Sequence, residues 1–358
     1  MSSPTDSVAA PPRQAPPDPG NRKPAAGPTD VGRSAASGAM QFLTRFWLVI
    51  PLAILVAYFS IQNPDAFLST LNLRTLAETM APILIAAVAT TYILGSGGID
   101  LSIGSVIVFS GVTAQLFYDA NGGTDAGVWV VIVGFVLALV AGGVCGLING
   151  VLIGPLRIPA LIATLGTLGA FLGISQLLVN GNDLTNVPKL LTDHIGLGRL
   201  AGVPLAVWVA VVIAILGGLF LFKTRFGLRT LAIGSDVEVV KRRGINVNWH
   251  LLRLYTMAGV LYGIVGALSL ARFSTTGISG QGTAALNAIA AVVIGGTSLF
   301  GGVATMFGTF LGVMIPAVLA GGLVIVGLQS FWQAVVVGIV LCVAVYFDQL
   351  QRRRKSQL

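Results

Sequence analysis

Charged side chains are what this sequence of 358 residues has least of: Asp, Glu, Lys and Arg make up 9% of it, against 55% for hydrophobic residues. Soluble domains carry roughly 25% charged residues, so this chain has too few to cover a surface in water. Its apolar runs are continuous rather than alternating, which excludes an outer-membrane β-barrel. The composition therefore predicts an all-α polytopic membrane protein.

Residues that serve enzymatic chemistry are also scarce. Cys145 and Cys342 fall in separate apolar runs, and His194 and His250 fall in separate polar loops. These four offer neither a disulfide framework nor a metal site. No lysine follows a glycine, which excludes the ATP-binding loop Gly-x-x-x-x-Gly-Lys-Ser/Thr. We therefore expect no enzymatic activity, no bound cofactor and no metal. No nucleic-acid-binding pattern accompanies the basic clusters, so we expect no nucleic-acid partner.

The apolar runs divide at polar and Gly/Pro clusters into about ten predicted membrane spans. The third and the eighth to tenth are open to another interpretation, because Gly-rich breaks there also fit kinks or re-entrant turns. The predicted spans are residues 43–61, 79–97, 101–118, 127–153, 159–180, 204–222, 251–271, 285–300, 303–321 and 325–347. They make up a transmembrane domain over residues 41–348.

The two ends of the chain differ from this domain. Residues 1–40 contain eight of the 16 prolines and few apolar residues, so we predict a disordered tail. Residues 349–358 form a short basic C-terminus. With ten spans, 17 of the 21 lysines and arginines share the side that holds both termini. The positive-inside rule then predicts a multi-pass protein of the cytoplasmic (inner) membrane with both termini cytoplasmic.

The stretch "ILGSGGIDLSIGS" (93–105) interrupts an apolar region between the second and third predicted spans. Glycines supply backbone conformations that other residues avoid, and Asp100 or Ser102 can cap the third span. A carboxylate at membrane depth is also a candidate for function. The alternatives are a tight capped turn and a turn that closes the inner gate of a transport path. The gate candidates are Gly97, Gly98, Asp100, Ser102 and Gly104.

The largest predicted cytoplasmic loop, residues 223–250, contains a helix signature. Ser235 and Glu238 have the spacing of a capping box, with the serine hydroxyl at the N-cap. Gly244 is placed as the left-handed C-cap. We predict a helix of about eight residues, which is either a docking element or an ordinary solvated loop.

Glycines recur at helical spacing in several spans, and such stripes allow another helix to approach closely. We predict close static packing for each of them; the alternative is a face that moves against its neighbour during transport. The stripes are Gly142, Gly146, Gly150 and Gly154; Gly166, Gly169 and Gly173; and Gly308 and Gly312.

Almost no ionisable residue lies within the predicted spans, which speaks against an ion-coupled carrier. A neutral solute rich in hydroxyl groups suits a path lined by small polar side chains. The candidates for this lining are Ser110, Thr113, Asn149, Thr164, Thr167, Asn287 and Thr297.

Four stretches together resemble one known family. "RTLAIGSDVEVVKRRGINV", "ILGSGGIDLSIGSVIVFSG", "NGVLIGPLRIPALIATLGTLGAFLGI" and "LNAIAAVVIGGTSLFGG" are similar to motifs of ABC-type sugar importer permeases, the ribose/xylose/galactose group within the branched-chain amino acid/sugar permease superfamily. Ala285 departs from the pattern, because a glutamate is common there. The resemblance covers residues 43–347 and implies the ABC importer permease architecture with a cytoplasmic coupling helix.

The resemblance also implies partners: an ABC ATPase subunit that binds ATP and magnesium, a periplasmic or extracellular sugar-binding protein, and a second permease copy. It implies that the 235–244 segment fits a groove on the ATPase. The coupling residues would be Gly234, Ser235, Asp236, Glu238, Arg242 and Gly244. The function implied is monosaccharide or polyol import by alternating access. The alternatives are a branched-chain amino acid permease, an ion-coupled secondary carrier and a membrane-embedded enzyme.

Overall fold

The computed structural model describes residues 48–278 and 282–329, together with isolated positions between 332 and 346. Seven helices in these residues are long and apolar enough to cross a membrane. A polytopic helical membrane protein is therefore confirmed, while the total of ten spans stays a prediction. The predictions for residues 1–40 and 349–358, and most of the predicted span 325–347, lie outside the described residues.

The described chain is almost entirely helical. In order, the helices are α1 (Val49–Gln62), α2 (Pro64–Phe67), α3 (Thr70–Gly95), α4 (Ile103–Ala120), α5 (Val128–Ile153), α6 (Ala160–Leu178), α7 (Lys189–Leu191), α8 (Leu205–Lys223), α9 (Arg225–Ser235), α10 (Val237–Arg242), α11 (Val247–Phe273), α12 (Ala284–Ile294) and α13 (Met306–Ile325). A 3-10 turn (Gly123–Asp125) precedes α5, and a π-helical turn (Thr192–Gly196) follows α7. Two short antiparallel strands, β1 (Arg199–Leu200) and β2 (Val203–Pro204), pair Arg199 with Pro204 before α8.

Most predicted span boundaries agree with the helices to within four residues, but α3 begins nine residues earlier than predicted. The side chain of Ser69 caps it by accepting a hydrogen bond from the Asn72 amide at 3.1 Å. The hydroxyls of Thr75 and Thr79 donate to carbonyls four residues back. The start of α3 was missed because hydropathy marks only the apolar part of a helix. The first turns of α3 carry polar side chains, and these form hydrogen bonds within the helix.

The predicted span 285–300 is wrong at its C-terminal end. Helix α12 has 11 residues and ends at Ile294, so it is about 17 Å long, roughly half of the hydrocarbon thickness. Gly296 then turns the chain with φ +86°. Gly295 packs so closely on α13 that an added Cβ would lie 2.6 Å from the Gly308 carbonyl oxygen. The alternative of a Gly-rich break is therefore the correct one here.

The core is built around α11, which packs against α3, α4 and α5. The glycine stripe of α5 faces α11, as predicted: an added Cβ on Gly150 would lie 2.8 Å from the Leu252 Cα, and one on Gly154 would lie 2.6 Å from the Asn248 oxygen. Gly308 and Gly312 are likewise pressed against α12. The stripe of α6 differs, because within the described residues nothing lies within 4 Å of a Cβ added there. For α6 the prediction of close packing fails inside this chain.

The two ends of the bundle carry different groups. Helix α3 has 26 residues and is about 39 Å long, so its ends lie far apart. In its N-terminal third, the Arg272 guanidinium donates to the Glu78 carbonyl oxygen at 2.7 Å. At its other end, Gly95 and Gly97 meet the segment 223–250. The groups predicted for opposite sides of the membrane thus lie at opposite ends of α3.

Candidate functional site

The broken stretch forms a buried turn between α3 and α4. Gly97 has a φ of +80°, a conformation that favours glycine. Gly98 has no room for a side chain, because an added Cβ would lie 2.6 Å from the Tyr255 hydroxyl oxygen. Gly104 lies buried in the first turn of α4. Gly97 and Gly98 are therefore required by the path of the backbone.

Asp100 accepts two hydrogen bonds just before α4, but neither its side chain nor that of Ser102 caps the amides of the helix. Asp100 is 2% exposed, and its Oδ1 accepts hydrogen bonds from the Ser102 amide at 2.8 Å and the Ser102 hydroxyl at 2.6 Å. Ser102 occupies the N-cap position, but its side chain makes no cap bond to the helix. The carboxylate thus satisfies donors that a lipid environment would leave unpaired.

The contact between Asp100 and Ser102 is part of a hydrogen-bonded chain of side chains that joins the turn, α5 and α6. The Asn149 Nδ2 of α5 donates to the Ser102 hydroxyl oxygen at 2.8 Å. The Thr167 hydroxyl of α6 donates to the Asn149 Oδ1 at 2.7 Å. Asp100, Ser102, Asn149 and Thr167 are all at least 93% buried. We call these four residues the polar network; it fixes the turn to both α5 and α6.

The other proposed pathway residues are held locally. The hydroxyls of Ser110, Thr113 and Thr164 donate to carbonyls four residues back in their own helices. Thr297 lies beyond the end of α12, where its buried Oγ1 accepts a hydrogen bond from the Thr305 amide at 3.2 Å. Asn287 is half-buried on α12. The structure thus joins two of the seven candidates, and a pathway-lining role for any of them stays a prediction.

Residues 223–250, which we call the coupling segment, contain two helices where one was predicted. Ser235 is the last residue of α9, and its hydroxyl donates to the Leu231 carbonyl oxygen at 3.1 Å. Asp236 is the N-cap of α10, accepting from the amides of Glu238 at 2.9 Å and Val239 at 3.1 Å. The predicted capping box with Ser235 at the N-cap is therefore wrong, because α9 uses this serine and the aspartate caps at least as well.

The remaining features of α10 are local. The helix has six residues rather than eight, and Glu238 pairs with Lys241 at 2.7 Å instead of reaching back to the N-cap. Arg242 is exposed in its last turn. Gly244 has a φ of +78° just beyond the helix, so the predicted left-handed ending is confirmed.

Helix α9 was missed by sequence reasoning, although a signal was present. Thr224 is its N-cap and accepts a hydrogen bond from the Gly227 amide at 3.2 Å. A threonine placed directly before a mixed basic and apolar stretch is a helix start signal. The charges of this segment were interpreted only through the positive-inside rule, so its N-cap at Thr224 was overlooked.

Three glycine-bearing turns meet where α9 ends. The Gly302 amide donates to the Gly95 carbonyl oxygen at 3.0 Å. A Cβ added to Gly234 would lie 2.5 Å from the Gly302 nitrogen, and one added to Gly301 would lie 2.8 Å from the Gly97 nitrogen. We call Gly95, Gly97, Gly234, Gly301 and Gly302 the glycine junction. Gly301 and Gly302 belong to the "LFGG" stretch, to which the sequence assigned no role.

A cavity of about 270 Å³ lies beside the glycine junction. Its walls include Ser96 and Gly98 of the turn, Val237 and Lys241 of α10, and Arg157 after α5. The coupling segment and the candidate gate turn therefore form one site. This site holds no group of three or more His, Cys, Asp or Glu suited to a metal, and none occurs elsewhere in the described part of the chain.

Seven long apolar helices in the described residues define a multi-pass membrane protein. Residues 72–345 match the family described as the branched-chain amino acid transport system / permease component. The chain belongs to this family.

Individual relatives agree with this assignment. The ribose import permease protein RbsC of Bacillus subtilis (strain 168) is 35% identical over 333 residues, covering 92% of this chain and 98% of that protein. The L-arabinose ABC transporter permease protein AraH of Azospirillum brasilense is 31% identical, covering 90% and 93%. The D-allose transport system permease protein AlsC of Escherichia coli (strain K12) is 29% identical, covering 86% and 93%. No solved structure matches the chain. The resemblance to ABC-type sugar importer permeases is thereby confirmed.

Proposed function

We propose that this chain is the transmembrane permease subunit of an ATP-binding cassette importer for a monosaccharide or a similar polyol. The relatives named above are permeases for ribose, arabinose and allose, and each aligns with most of this chain. The family description also names branched-chain amino acids, which are the alternative substrates. The chain itself carries out no covalent chemistry; a separate ATPase subunit supplies the energy for alternating access.

The glycine junction is the observation that carries this proposal. Gly234 is two residues before Asp236, the cap of α10, and it touches the backbone of the gate turn with no space between them. Backbone atoms packed this closely cannot absorb a shift by compression. A displacement of α10 by the ATPase therefore moves the turn at Gly97.

The polar network extends this connection into the bundle. Asp100 lies three residues after Gly97, and its hydrogen bonds lead through Ser102 to Asn149 and Thr167. A moving turn thus pulls on α5 and α6 together. This chain of contacts offers a continuous physical path for coupling between α10 and the bundle.

The orientation of the protein follows the charges. Arg157 and Lys241 line one cavity, so cations that hydropathy assigns to one side share one end of the bundle. We propose that this end faces the cytoplasm and meets the ATPase. The opposite end, which holds the segments 180–200 and 271–278, would meet the sugar-binding protein.

We also propose that the permease acts as a homodimer. Only 28% of the apolar 18-residue stretch of α6, and 17% of that of α8, is buried within the chain. We propose that the open face of α6 meets the second copy, while that of α8 faces lipid.

The first experiment is ATP-driven uptake in proteoliposomes that contain the permease and its cognate ATPase and binding protein. We expect labelled ribose, arabinose or allose to accumulate only when both partners and ATP are present. Accumulation of leucine in place of sugars would overturn the proposed substrate class. Uptake by the chain alone along an ion gradient would overturn the proposed energy source.

The same vesicles test the glycine junction through Gly234→Ala. The added methyl group meets backbone atoms of two turns, so we expect ATP hydrolysis to continue while sugar uptake falls about tenfold, equivalent to about 1.4 kcal/mol of lost coupling. Gly127→Ala, which adds a methyl group in open space at an exposed position before α5, is the control. Full uptake by Gly234→Ala would show that the coupling path lies elsewhere.

A further inference from the structure

An apolar groove of about 540 Å³ runs along the outside of the bundle between α3, α8 and α11. Leu216 and Phe220 of α8 form one wall, with 58% and 39% of their surfaces exposed. Val88 of α3 and Leu261 of α11 line the rest. Because these helices are membrane-spanning segments, the groove opens toward lipid rather than toward water.

The depth of the groove depends on Gly217. An added Cβ there would lie 2.7 Å from the Val88 Cγ1, so any side chain would force α3 and α8 apart. The Tyr92 hydroxyl donates to the Gly217 carbonyl oxygen at 2.5 Å, which removes the donor of that hydroxyl from the groove. The surface offered to an occupant is therefore apolar, as a hydrocarbon chain requires.

One end of the groove carries a positive charge. Lys223 is the last residue of α8, is exposed, and lines the groove at the border with the segment 223–250. Within the described residues no acidic side chain pairs with it, whereas Lys241, Lys189 and Arg272 each have a carboxylate within 4 Å. A lysine at the end of a spanning helix lies at the depth of lipid headgroups.

We propose that this groove binds an anionic phospholipid, with an acyl chain along Leu216 and Phe220 and the phosphate on Lys223. The apolar walls match the chain, and the lysine matches the net negative charge of the headgroup. A second copy of the protein fits less well. A two-fold interface is self-complementary, so one centred on this groove would bring two Lys223 ammonium groups together.

The test replaces Phe220, which lines the groove, with tryptophan (Phe220→Trp) in the full chain, in bilayers that contain brominated lipids. Quenching of the tryptophan fluorescence by the bromine atoms measures the contact between the tryptophan and the lipid. Phe222→Trp is the matched control, because Phe222 is exposed at nearly the same depth but does not line the groove. We expect brominated phosphatidylglycerol to compete for the F220W site about fivefold better than brominated phosphatidylcholine, since one cation contributes about that much attraction. F222W should not distinguish the two lipids.

Lys223 variants decide the role of the charge. Lys223→Gln should remove the preference for phosphatidylglycerol in F220W, and Lys223→Arg should keep it. Equal quenching of F220W by both lipids, or a preference that survives in K223Q, would overturn the proposal. Absence of quenching in F220W with normal quenching in F222W would also overturn it, because protein would then cover the groove.

Discussion

Helices α5 and α6 follow each other in the chain and carry similar glycine stripes, yet the two stripes have opposite environments. On α5, Cβ atoms added to Gly142 and Gly146 would collide with the backbone of α11. On α6, Gly166 and Gly169 have nothing within 4 Å in the described part of the chain. The spacing of small residues therefore tells what a helix face permits, and does not tell whether a partner lies there.

The difference comes from the partners. Helix α11 presents its own glycines, Gly259 and Gly263, to α5, so the two backbones meet without side chains between them. Helix α6 docks through its other face, where Thr167 and Phe171 are buried. The polar network fixes which face of α6 meets the rest of the described chain.

The largest expected effect tests the contact between α5 and α11. Gly146→Leu would insert four carbons into a contact between backbones, and we expect it to destabilise the protein by more than about 3 kcal/mol, at the upper end of overpacking effects. Thermal unfolding in detergent, followed by size-exclusion chromatography, measures this loss. Gly169→Leu makes the same change on α6 in open space and should leave the unfolding temperature unchanged or raise it slightly through helix propensity. Equal losses in both variants would mean that α6 is packed as tightly as α5.

A smaller effect is expected from the face of α5 that meets α6. Asn149→Ala would remove the donor to the Ser102 Oγ and the acceptor of the Thr167 hydroxyl, which would keep only their bonds to Asp100 and to the Thr164 carbonyl oxygen. Weakening the bonds of buried polar groups in this way costs about 1–3 kcal/mol. Ser110→Ala is the control, because its hydroxyl bonds only to its own helix at Val106. Thermal unfolding of the two variants compares the costs, and a loss in S110A as large as in N149A would argue against the network.

The smallest effect is expected from the open stripe itself. Gly166→Ala places a methyl group in free space within a helix, so the change in helix propensity alone should act and stabilise the fold by up to about 1 kcal/mol. A rise of a few degrees in the unfolding temperature would show it. A clear drop in stability, together with loss of a dimer in crosslinking, would show instead that a second copy covers this face.

Sequence reasoning reached those features that depend on neighbouring residues. The apolar runs located α5, α6 and α8 to within two residues, because burial in lipid acts on each run separately. The left-handed backbone at Gly244 followed from its place behind a charged helical turn. The turn at Gly97 followed from a glycine cluster between two apolar runs.

What sequence reasoning missed has two causes: local caps at Ser69 and Thr224 that were overlooked, and packing that a single local pattern does not decide. Ser235 and Asp236 are both good caps, and only the existence of α9 decides that Asp236 caps α10. The end of α12 at Ile294 is set by the packing of Gly295 on Gly308, thirteen residues away. The glycine junction joins three segments separated by more than 60 residues each, so no local pattern reveals it.

By itself, the amino-acid sequence determined that this is a membrane protein and which segments can cross the membrane. It also determined that the backbone turns at Gly97 and Gly244, and which family the chain resembles. These properties follow from hydropathy, from backbone conformations that only glycine readily adopts, and from motif identity. The tertiary structure alone decided which glycine stripe is packed and that the coupling segment touches the gate turn. The physical reason is that close packing depends on two surfaces meeting, and a single segment of sequence describes only one of them.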